Sequence, residues 1–419
     1  MWQFAVIVRH TAQIGAMVIA IRYKEMLSGK SVIRELSEYA AEKGAEIGYE
    51  NVFDYSLGNP SVAVPQEFTD RMIHMLATQD SAKLHGYSPS LGIPDVRTAV
   101  ASSLQKRFGL QYSQEHIFMA SGAAGALSHA FRLVTKPGDE VIAFAPFFPE
   151  YRPYVELTGA FLKIVPPLTE TFQIHFEALE EMISEKTMAI LVNSPNNPSG
   201  VVYTEETIKQ LAEILTEKEK QYGHDIFLIS DEPYREIVFD GRETPCMSAY
   251  YDNTIMCYSF SKSLSLPGAR IGYVAVNPAC REAETLIQMC GQISRGIGHN
   301  CPSSIIQLAV SHVLDLTADI SVYETNRNLL YRELKELGFE CVKPDGTFYI
   351  FPRALEEDAV VFCKKALKYN LILVPGDSFG APGFFRMAYC IDTDKVERSL
   401  TALRSFVHTE YTKRIGESI

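Results

Sequence analysis

Polar side chains able to do chemistry recur where short apolar runs of this sequence end. Asn197, Asp231 and Lys262 each stand shortly after such a run, and each run has the length and residue types of a buried strand. Open α/β sheets bind ligands in the crevice at the carboxyl ends of their strands. The placement therefore predicts that these three side chains face one ligand.

Lys262 and Asp231 indicate covalent and electrostatic chemistry. Desolvation at a strand end, with the cationic Arg270 eight residues further on, would lower the pKa of Lys262 and leave its amine nucleophilic. A carboxylate at such a position requires a partner, and a protonated ring nitrogen would be one whose positive charge lets the ring accept electrons. Taken singly, the alternatives are a lysine that extends its amine to solvent and an aspartate that caps a helix or forms a structural ion pair.

A phosphate-binding element is predicted at Ser121-Gly122-Ala123-Ala124, which follows another apolar run and opens a helix. Free backbone N–H groups and the positive end of the helix dipole favour an anion at such a start. The alternative is a serine that caps a closely packed helix. The loop Asn193–Gly200 also has a simpler alternative, because its prolines and glycine alone would make a turn.

The elements that must position these residues alternate between strand and helix from about Glu115 to Val276. Amphipathic stretches such as Glu205–Tyr222 separate the apolar runs, which predicts a mainly parallel sheet with helices on both faces. The predicted strands are Ile117–Ala120, Val141–Ala145, Met188–Val192, Ile226–Ser230, Ile255–Phe260 and Ile271–Val276.

After Pro302 the pattern changes to that of a smaller α+β unit. A long helix is predicted over Ile305–Leu337, and Ser31–Tyr55 is expected to join this unit. The further predicted elements are strands at Gly346–Phe351, Leu371–Val374 and Phe385–Ala388 and a helix near Asp358–Tyr369.

Composition argues against several classes of protein. The 419 residues carry a formal charge of −12, which disfavours a nucleic-acid surface and requires local donors for any phosphorylated ligand. The 8 cysteines include no C-x-x-C and the 10 histidines form no H-E-x-x-H, so we expect no metal and no thioredoxin-type redox site. Scattered cysteines in a large chain favour a reducing compartment, so we expect a soluble cytoplasmic protein.

The N-terminal stretch Met1–Ala20 is apolar in patches that charged and polar residues interrupt. No basic region precedes it, as a secretory signal would require, and no run is long enough to span a bilayer. We expect residues 1–30 to form a disordered or loosely packed extension, with Met17 and Met26 as alternative starts. A weak export signal is the less favoured alternative.

From about Ser31 onwards, these residues give the chain a resemblance to a known family. It resembles the class I/II aminotransferases of the aspartate aminotransferase fold, which are fold type I pyridoxal-phosphate enzymes, and the order and spacing of the matching segments agree throughout. The matching segments are Tyr87–Arg97, Ser121–Leu127, Pro137–Val141, Pro146–Tyr151, Asn193–Gly200, Ser230–Tyr234, Ser259–Arg270 and Phe385–Met387.

The resemblance implies an α/β fold with two domains. A large domain would carry a mainly parallel seven-stranded sheet sandwiched by helices, and a smaller domain would be α+β. The implied division is an N-terminal segment at 31–56 that packs with the small domain, a large cofactor-binding domain at 57–302 and the small domain at 303–419.

The resemblance also implies pyridoxal 5′-phosphate as the cofactor. Lys262 would form the Schiff base and then move the substrate proton, Asp231 would pair with the pyridinium nitrogen, and Tyr234 and Asn197 would hydrogen-bond the phenolic oxygen. The other implied contacts are stacking by Phe148 and phosphate binding by Ser121, Gly122, Ala123, Ser259 and Arg270, with Ser261 as a further candidate. Many relatives carry Trp or Tyr where this chain has Phe148, and a hydroxyl residue where it has Ala123.

For the substrate, the resemblance implies that Arg386 binds the α-carboxylate in a bidentate manner, with Gly58 and Asn197 beside it. Tyr87 would reach the phosphate of the other subunit's cofactor, which implies a homodimer with shared active sites. The segment Ser31–Glu35 is expected to close over the substrate.

Arg295 has two interpretations. It lies five residues before Asn300, in a region where dicarboxylate-specific relatives place an arginine that crosses the dimer interface to the distal carboxylate. The substrate would then be aspartate or glutamate. The alternative is an ordinary surface arginine in a glycine-rich loop.

The implied reaction is ping-pong transfer of an amino group from an L-amino acid to a 2-oxo acid, with aspartate and 2-oxoglutarate as candidate substrates and no nucleic-acid or membrane partner. One alternative is a C–S β-lyase or a decarboxylase, because the fold does not determine the reaction. A second is a non-enzymatic regulatory module, but no DNA-binding extension is visible and both Lys262 and Asp231 are present.

Overall fold

The structure, a computed structural model, describes residues 31–415. The extension predicted for residues 1–30, with its alternative starts at Met17 and Met26, lies outside the described residues. Within them the strands form one sheet of seven strands, one of three and one of two.

The bounds of the elements in residues 31–415 are as follows. The strands are β1 (Phe53–Asp54), β2 (Ile117–Ala120), β3 (Glu140–Phe144), β4 (Phe161–Val165), β5 (Thr187–Asn193), β6 (Phe227–Asp231), β7 (Thr254–Ser259), β8 (Gly272–Val276), β9 (Tyr349–Ile350), β10 (Leu371–Ile372), β11 (Val374–Pro375) and β12 (Phe385–Ala388). The α-helices are α1 (Val32–Ile47), α2 (Gln66–Thr78), α3 (Ser81–His85), α4 (Pro94–Phe108), α5 (Gly122–Val134), α6 (Tyr151–Glu156), α7 (Phe176–Met182), α8 (Glu205–Tyr222), α9 (Phe260–Ser263), α10 (Ala283–Gly296), α11 (Ser304–Val310), α12 (Ser321–Glu336), α13 (Ala359–Ala366) and α14 (Thr393–Ile415).

The seven-stranded sheet has the order β2-β8-β7-β6-β5-β3-β4, and only β8 runs opposite to the other six strands. The expected mainly parallel sheet is therefore confirmed, and each of the six predicted strands is present within one residue of its predicted bounds. The sequence analysis missed β4, an edge strand on which Phe161 is 63% exposed and Lys163 interrupts the apolar run.

Helices cover both faces of this sheet, because successive strand residues point to opposite sides. On β3, Val141 and Ala143 belong to the core shared with α5 and α10. Ile142 and Phe144 belong to the core shared with α7 and α8. With both faces buried, the parallel strands read as the continuous apolar runs seen in the sequence.

A smaller unit follows the large sheet along the chain. Strands β11, β12 and β9 form an antiparallel sheet, and β1 pairs in parallel with β10. Aromatic side chains of α12 to α14 pack with these strands in one core that includes Tyr323, Phe348, Phe362 and Phe406. The segment that contains β1 thus contacts the later strands, while the domain boundaries at residues 57 and 302 stay predictions.

Three element predictions in this unit are wrong. The strand near Leu371–Val374 is two strands, β10 and β11, which belong to different sheets. The long helix over Ile305–Leu337 is two helices, α11 and α12, because the Ala318 N–H donates to the Ser263 carbonyl at 2.7 Å and the Asp319 carboxylate accepts the Ser321 N–H at 3.0 Å where α12 begins. The strand over Gly346–Phe351 shortens to β9, since Thr347 has a φ of +63° and leaves extended geometry.

Gly272 allows β8 to pass close to the start of α5. A Cβ added at this position would lie 2.2 Å from the carbonyl oxygen of Tyr258 and 3.1 Å from the Cα of Gly122. These contacts are with backbone, which cannot rotate away as a flexible side chain would. The absence of a side chain at residue 272 therefore sets the distance between the sheet and the α5 N-terminus.

We expect Gly272→Ala to lower the free energy of unfolding by about 1–3 kcal/mol, the usual range for overpacking an interior, as measured by urea unfolding. Gly296→Ala is the matched control, because a Cβ at the end of α10 meets no atom within 4 Å. Its expected effect is below about 0.5 kcal/mol. Equal losses in the two variants would show that the contact with Tyr258 and Gly122 is not the cause.

Candidate active site

One cavity of about 290 Å³ lies at the carboxyl ends of β5, β6 and β7, where β12 and the chain after β1 meet the large sheet. It gathers most of the predicted site residues. Those that line it are Gly58, Ala123, Phe148, Asn197, Asp231, Tyr234, Ser259, Ser261, Lys262, Arg270 and Arg386.

Lys262 lies in α9, the short helix directly after β7. Its Nζ donates to the Gly58 carbonyl oxygen at 2.7 Å and stands 5.4 Å from the centre of the Phe348 ring. Burial, assisted by the charges of Arg386 and Arg270, lowers the pKa of Lys262 to about 8. A useful fraction of the amine is therefore uncharged and nucleophilic near neutral pH.

Asp231 is the last residue of β6 and is only 4% exposed. Its Oδ2 accepts a hydrogen bond from the Tyr151 hydroxyl at 2.5 Å, whereas its Oδ1 is buried without a partner among the described residues. Burial raises the pKa of Asp231 to about 7, the bond from Tyr151 opposes this rise and the charge of Glu232 adds to it. A protonated nitrogen at Oδ1 would satisfy that oxygen and favour the carboxylate.

The start of α5 and the Arg270 side chain form an anion-binding arrangement. Arg270 donates to the Ser121 carbonyl at 3.2 Å and to the Pro267 carbonyl at 3.0 Å, and it has no ion pair within residues 31–415. Gly122 adopts a φ of +74°, and a Cβ there would lie 2.9 Å from Arg270 Nη2. A guanidinium without an ion pair, beside the first N–H groups of a helix, suits a phosphate.

Ala123, Ser259 and Ser261 also line the cavity. Ser259 caps α9 by accepting the Ser261 N–H at 3.1 Å, and the two hydroxyl oxygens are 2.7 Å apart. Both hydroxyls are consequently fixed on the helix that carries Lys262.

Arg386 lies on β12 and is 1% exposed. Its Nη1 donates to Asn197 Oδ1 at 3.1 Å, its Nη2 donates to the Ser56 carbonyl, and its Nε has no partner among the described residues. Its guanidinium carbon stands 4.7 Å from the centre of the Tyr349 ring and 4.9 Å from that of Phe379. No carboxylate of residues 31–415 pairs with this buried charge, so an anionic ligand would be strongly favoured there.

Tyr234 and Phe148 supply the aromatic part of the cavity. The hydroxyls of Tyr234 and Tyr349 are 3.0 Å apart, and burial raises the pKa of Tyr234 well above its ordinary value, so this phenol stays a proton donor. Phe148 packs edge-on against Tyr151, with ring centres 5.7 Å apart. Its ring thereby stands beside the side chain that donates to Asp231.

The sequence analysis assigned no role to Tyr151, Tyr349 or Asn193. Asn193 joins two site residues, because its Nδ2 donates to the Asp231 carbonyl at 2.9 Å and its Oδ1 accepts the Asn197 N–H at 2.8 Å. Tyr151 and Asn193 lie in segments that carry the family resemblance, which is the signal that could have identified them. Tyr349 reaches the cavity from the smaller unit, and no pattern in the sequence indicates this.

Besides Ser121 and Gly122, which lie at the α5 start beside Arg270, two predicted site residues do not line this cavity. Tyr87 is fully exposed. Arg295 is exposed on the last turn of α10, not in a loop, and its Nη1 donates to Gln292 Oε1 at 3.4 Å. The roles expected for both require a second subunit and stay predictions.

The cavity as a whole suits a ligand with two anionic groups and a protonated nitrogen. Arg270 and the α5 start would bind one anion, Arg386 the other, and Asp231 the cation, with the Lys262 amine free to attack a carbonyl. In the part of the chain that the structure describes, no group of three His, Cys, Asp or Glu side chains is placed to hold a metal ion, and all eight cysteines are unpaired. None of the helices between residues 31 and 415 combines the length and apolarity needed to cross a membrane.

Comparison with known proteins identifies relatives over most of the chain. The family model described as "Aminotransferase class I and II" matches residues 50–403. An aspartate aminotransferase of Bacillus subtilis is 31% identical, with 85% of this chain and 91% of that protein covered. An aromatic-amino-acid aminotransferase of Thermococcus litoralis is 30% identical, covering 88% and 94%. The crystal structure of an amino transferase from Eubacterium rectale superimposes with a TM-score of 0.92 at 44% identity, covering 94% and 100%.

The raised pKa of Asp231 predicts a pH dependence of stability for the ligand-free protein. Between its ordinary value of 3.8 and the folded-state value of about 7, the folded chain holds more protons at this site than the unfolded chain. Stability from this group therefore falls as pH rises through that interval, by up to about 1.4 kcal/mol per pH unit.

Asp231→Asn should remove this contribution, so the variant should gain stability relative to wild type as pH rises from about 4 to 7. Urea unfolding of both proteins across this range measures the difference. A difference that does not change with pH would mean that Asp231 is already ionised in the folded protein.

Proposed function

The chain belongs to the class I and II aminotransferases and is an aminotransferase, and we propose that it works with pyridoxal 5′-phosphate bound at Lys262. The observation that carries this proposal is the unpartnered Asp231 Oδ1, which faces the same cavity as the Lys262 amine. A pyridinium N–H is the donor this oxygen lacks. The start of α5 at Gly122, which has a positive φ, and the Arg270 guanidinium beside it further fit a phosphate group.

Each cofactor contact is assigned to a residue whose chemistry fits it. Lys262 would bind the aldehyde, and Asp231 the ring nitrogen. The phenolic oxygen would be held by Tyr234 and Asn197, and Phe148 would stack on the ring. The phosphate would be held by Ser121, Gly122, Ala123, Ser259 and Arg270, with Ser261 in support.

When bound, this cofactor supplies an electron sink that stabilises the negative charge left at the substrate Cα when its proton departs. Lys262 Nζ accepts that proton and returns it, for which a pKa of about 8 is well suited. Asp231 in its charged form keeps positive charge on the ring nitrogen. Arg386 and Asn197 hold the α-carboxylate, so the Cα–H bond is fixed relative to the amine.

The amino donor is an L-amino acid and the acceptor a 2-oxo acid. We propose aspartate and 2-oxoglutarate as the first pair to test, because the Bacillus subtilis relative is named an aspartate aminotransferase. The Thermococcus litoralis relative is named for aromatic amino acids, so an aromatic donor belongs in the same panel. The alternative activities, C–S β-lyase and decarboxylase, are not favoured, since these relatives are named as aminotransferases.

A homodimer with shared active sites is part of the proposal. In such a dimer the exposed Tyr87 side chain would contact the phosphate of the partner subunit's cofactor. Arg295 would approach the partner subunit's substrate. We also propose a cytoplasmic location, which the eight unpaired cysteines support.

Lys262→Ala should abolish the visible absorbance that shifts when an amino acid is added, and it should lower kcat by more than about a thousandfold, because the amine that holds and moves the proton is gone. Absorbance spectra and donor–acceptor assays measure this. The control is Lys209→Ala, which removes an exposed lysine paired with Glu205 at 2.7 Å and should leave both intact. A band that persists and still responds in the Lys262 variant would assign the cofactor to another lysine.

Arg386→Met should raise KM about a hundredfold for every amino acid tested, because each substrate carries the α-carboxylate that this buried guanidinium would bind. Arg386→Lys should recover only part of the affinity, since an ammonium cannot make the bidentate contact. Steady-state kinetics over the donor panel measure both effects. A loss confined to acidic donors would move Arg386 from the α-carboxylate to the side chain.

A further inference from the structure

The described part of the cavity lining contains three cations, Lys262, Arg270 and Arg386, and each already has a task under the proposed function. The remaining lining near Arg386 is largely apolar, with Ile33, Leu57 and Tyr349 among its members. Such a wall accepts an aliphatic or aromatic side chain. It gives a distal carboxylate no positive partner.

The first turn of α1 lies next to the α-carboxylate site. Ile33 lines the cavity, and Val32, Ile33 and Leu36 pack against the core that contains Phe379. The ring centre of Phe379 stands 4.9 Å from the guanidinium carbon of Arg386. The position of the α1 start is thus fixed by apolar packing beside the residue proposed to hold the substrate.

Arg34 directly follows Ile33 and is exposed. Its guanidinium forms no ion pair within 4.0 Å with any residue between 31 and 415. Its charge nevertheless reaches the cavity. The pKa of Tyr154, a lining residue, is raised mainly by burial and by the Glu150 carboxylate, while Arg270 and Arg34 both act to lower it. The Asp231 carboxylate also acts to raise the pKa of Tyr154, so two arginines and two carboxylates surround this lining residue. Arg34 is thus close enough to the cavity for its charge to act on the lining.

We propose that Arg34 binds the distal carboxylate of acidic amino acids and 2-oxo acids, an inference that rests on the proposed aminotransferase site. Apolar donors would occupy the wall of Ile33 and Leu57 without using Arg34. Acidic substrates would use the same wall for their methylene groups and Arg34 for their second charge. One site would then serve both substrate classes.

Arg295 is the competing candidate for this role. Neither arginine lines the cavity of its own protomer. Arg34 directly follows the lining residue Ile33, whereas Arg295 lies on the last turn of α10 and would have to act across a subunit interface. Arg34 needs no second chain. The two assignments predict loss of acidic-substrate affinity in different variants, so one set of proteins separates them.

The test uses the holoenzyme as wild type, Arg34→Gln, Arg34→Lys and Arg295→Ala. The half-reaction with glutamate, aspartate, leucine and phenylalanine is followed by visible absorbance, and the binding of glutarate and pentanoate by calorimetry. Arg34→Gln should raise the half-saturating concentration of glutamate and the Kd of glutarate about tenfold. Leucine, phenylalanine and pentanoate should change by less than about twofold. Arg34→Lys should recover part of the loss.

Arg281→Gln is the matched control. Arg281 is an exposed arginine paired with Asp225 at 3.4 Å, and it follows β8, whose antiparallel direction puts that end at the edge of the sheet away from the cavity. It should leave every value unchanged.

The outcomes separate the two proposals. A wild type that binds no cofactor, or whose absorbance responds to no amino acid, would contradict the proposed function itself. A wild type that reacts but binds glutarate no better than pentanoate would contradict the role of Arg34 and leave the proposed function intact. The same holds if Arg34→Gln weakens acidic and apolar ligands equally or not at all, or if the selective loss appears in Arg295→Ala instead.

Discussion

Two buried ionisable groups in this cavity have no partner of opposite charge among the described residues. Arg386 is covered almost completely and has no carboxylate partner, and Asp231 has one oxygen without a donor. Burying an unpaired charge costs several kcal/mol, and groups that lack a partner commonly shift their pKa instead. Asp231 does so, with a pKa raised to about 7. A ligand that brings an anion to Arg386 and a protonated nitrogen to Asp231 would offset both costs. The relief of these two costs would then contribute to its binding free energy.

The surrounding structure holds these groups in place without neutralising them. Asp231 ends a central strand of the large sheet, and Arg386 lies on a strand of the smaller one. The contacts made to them are mainly with neutral groups: the Tyr151 hydroxyl for Asp231, and the Asn197 amide, the Ser56 carbonyl and two aromatic rings for Arg386. Neutral partners fix the orientation of the two side chains but do not compensate their charge, so a charged ligand can still do so. The strands on both sides of the cavity then set the distance between the Asp231 carboxyl and the Arg386 guanidinium.

The sequence predicted the sheet and most of the candidate residues that the structure brings together in one cavity, and the reason is physical. Strands buried on both faces are continuous apolar runs, so their ends, and with them Asp231 and Lys262, could be located within one residue. Features that depend on tertiary contacts were not predicted from the sequence. The edge strand β4 carries exposed Phe161, the long helix breaks where Ala318 bonds to Ser263, and Tyr349 reaches the cavity from 115 residues beyond its partner Tyr234. Tyr87 and Arg295 depend on a second chain, which one sequence does not position.

The two ends of a substrate would meet different environments here, and the difference follows from what an aminotransferase must accept. The α-carboxylate is common to every substrate, so it can be bound by Arg386, a buried residue held by four neighbours, with little loss of versatility. The side chain changes between the two halves of the reaction. A buried arginine on that side would have no anionic partner whenever an apolar substrate is bound. This is the same kind of free-energy cost that burial of Arg386 has without a ligand. An exposed arginine such as Arg34 keeps its hydration when no carboxylate is present, so it can favour acidic substrates without rejecting apolar ones.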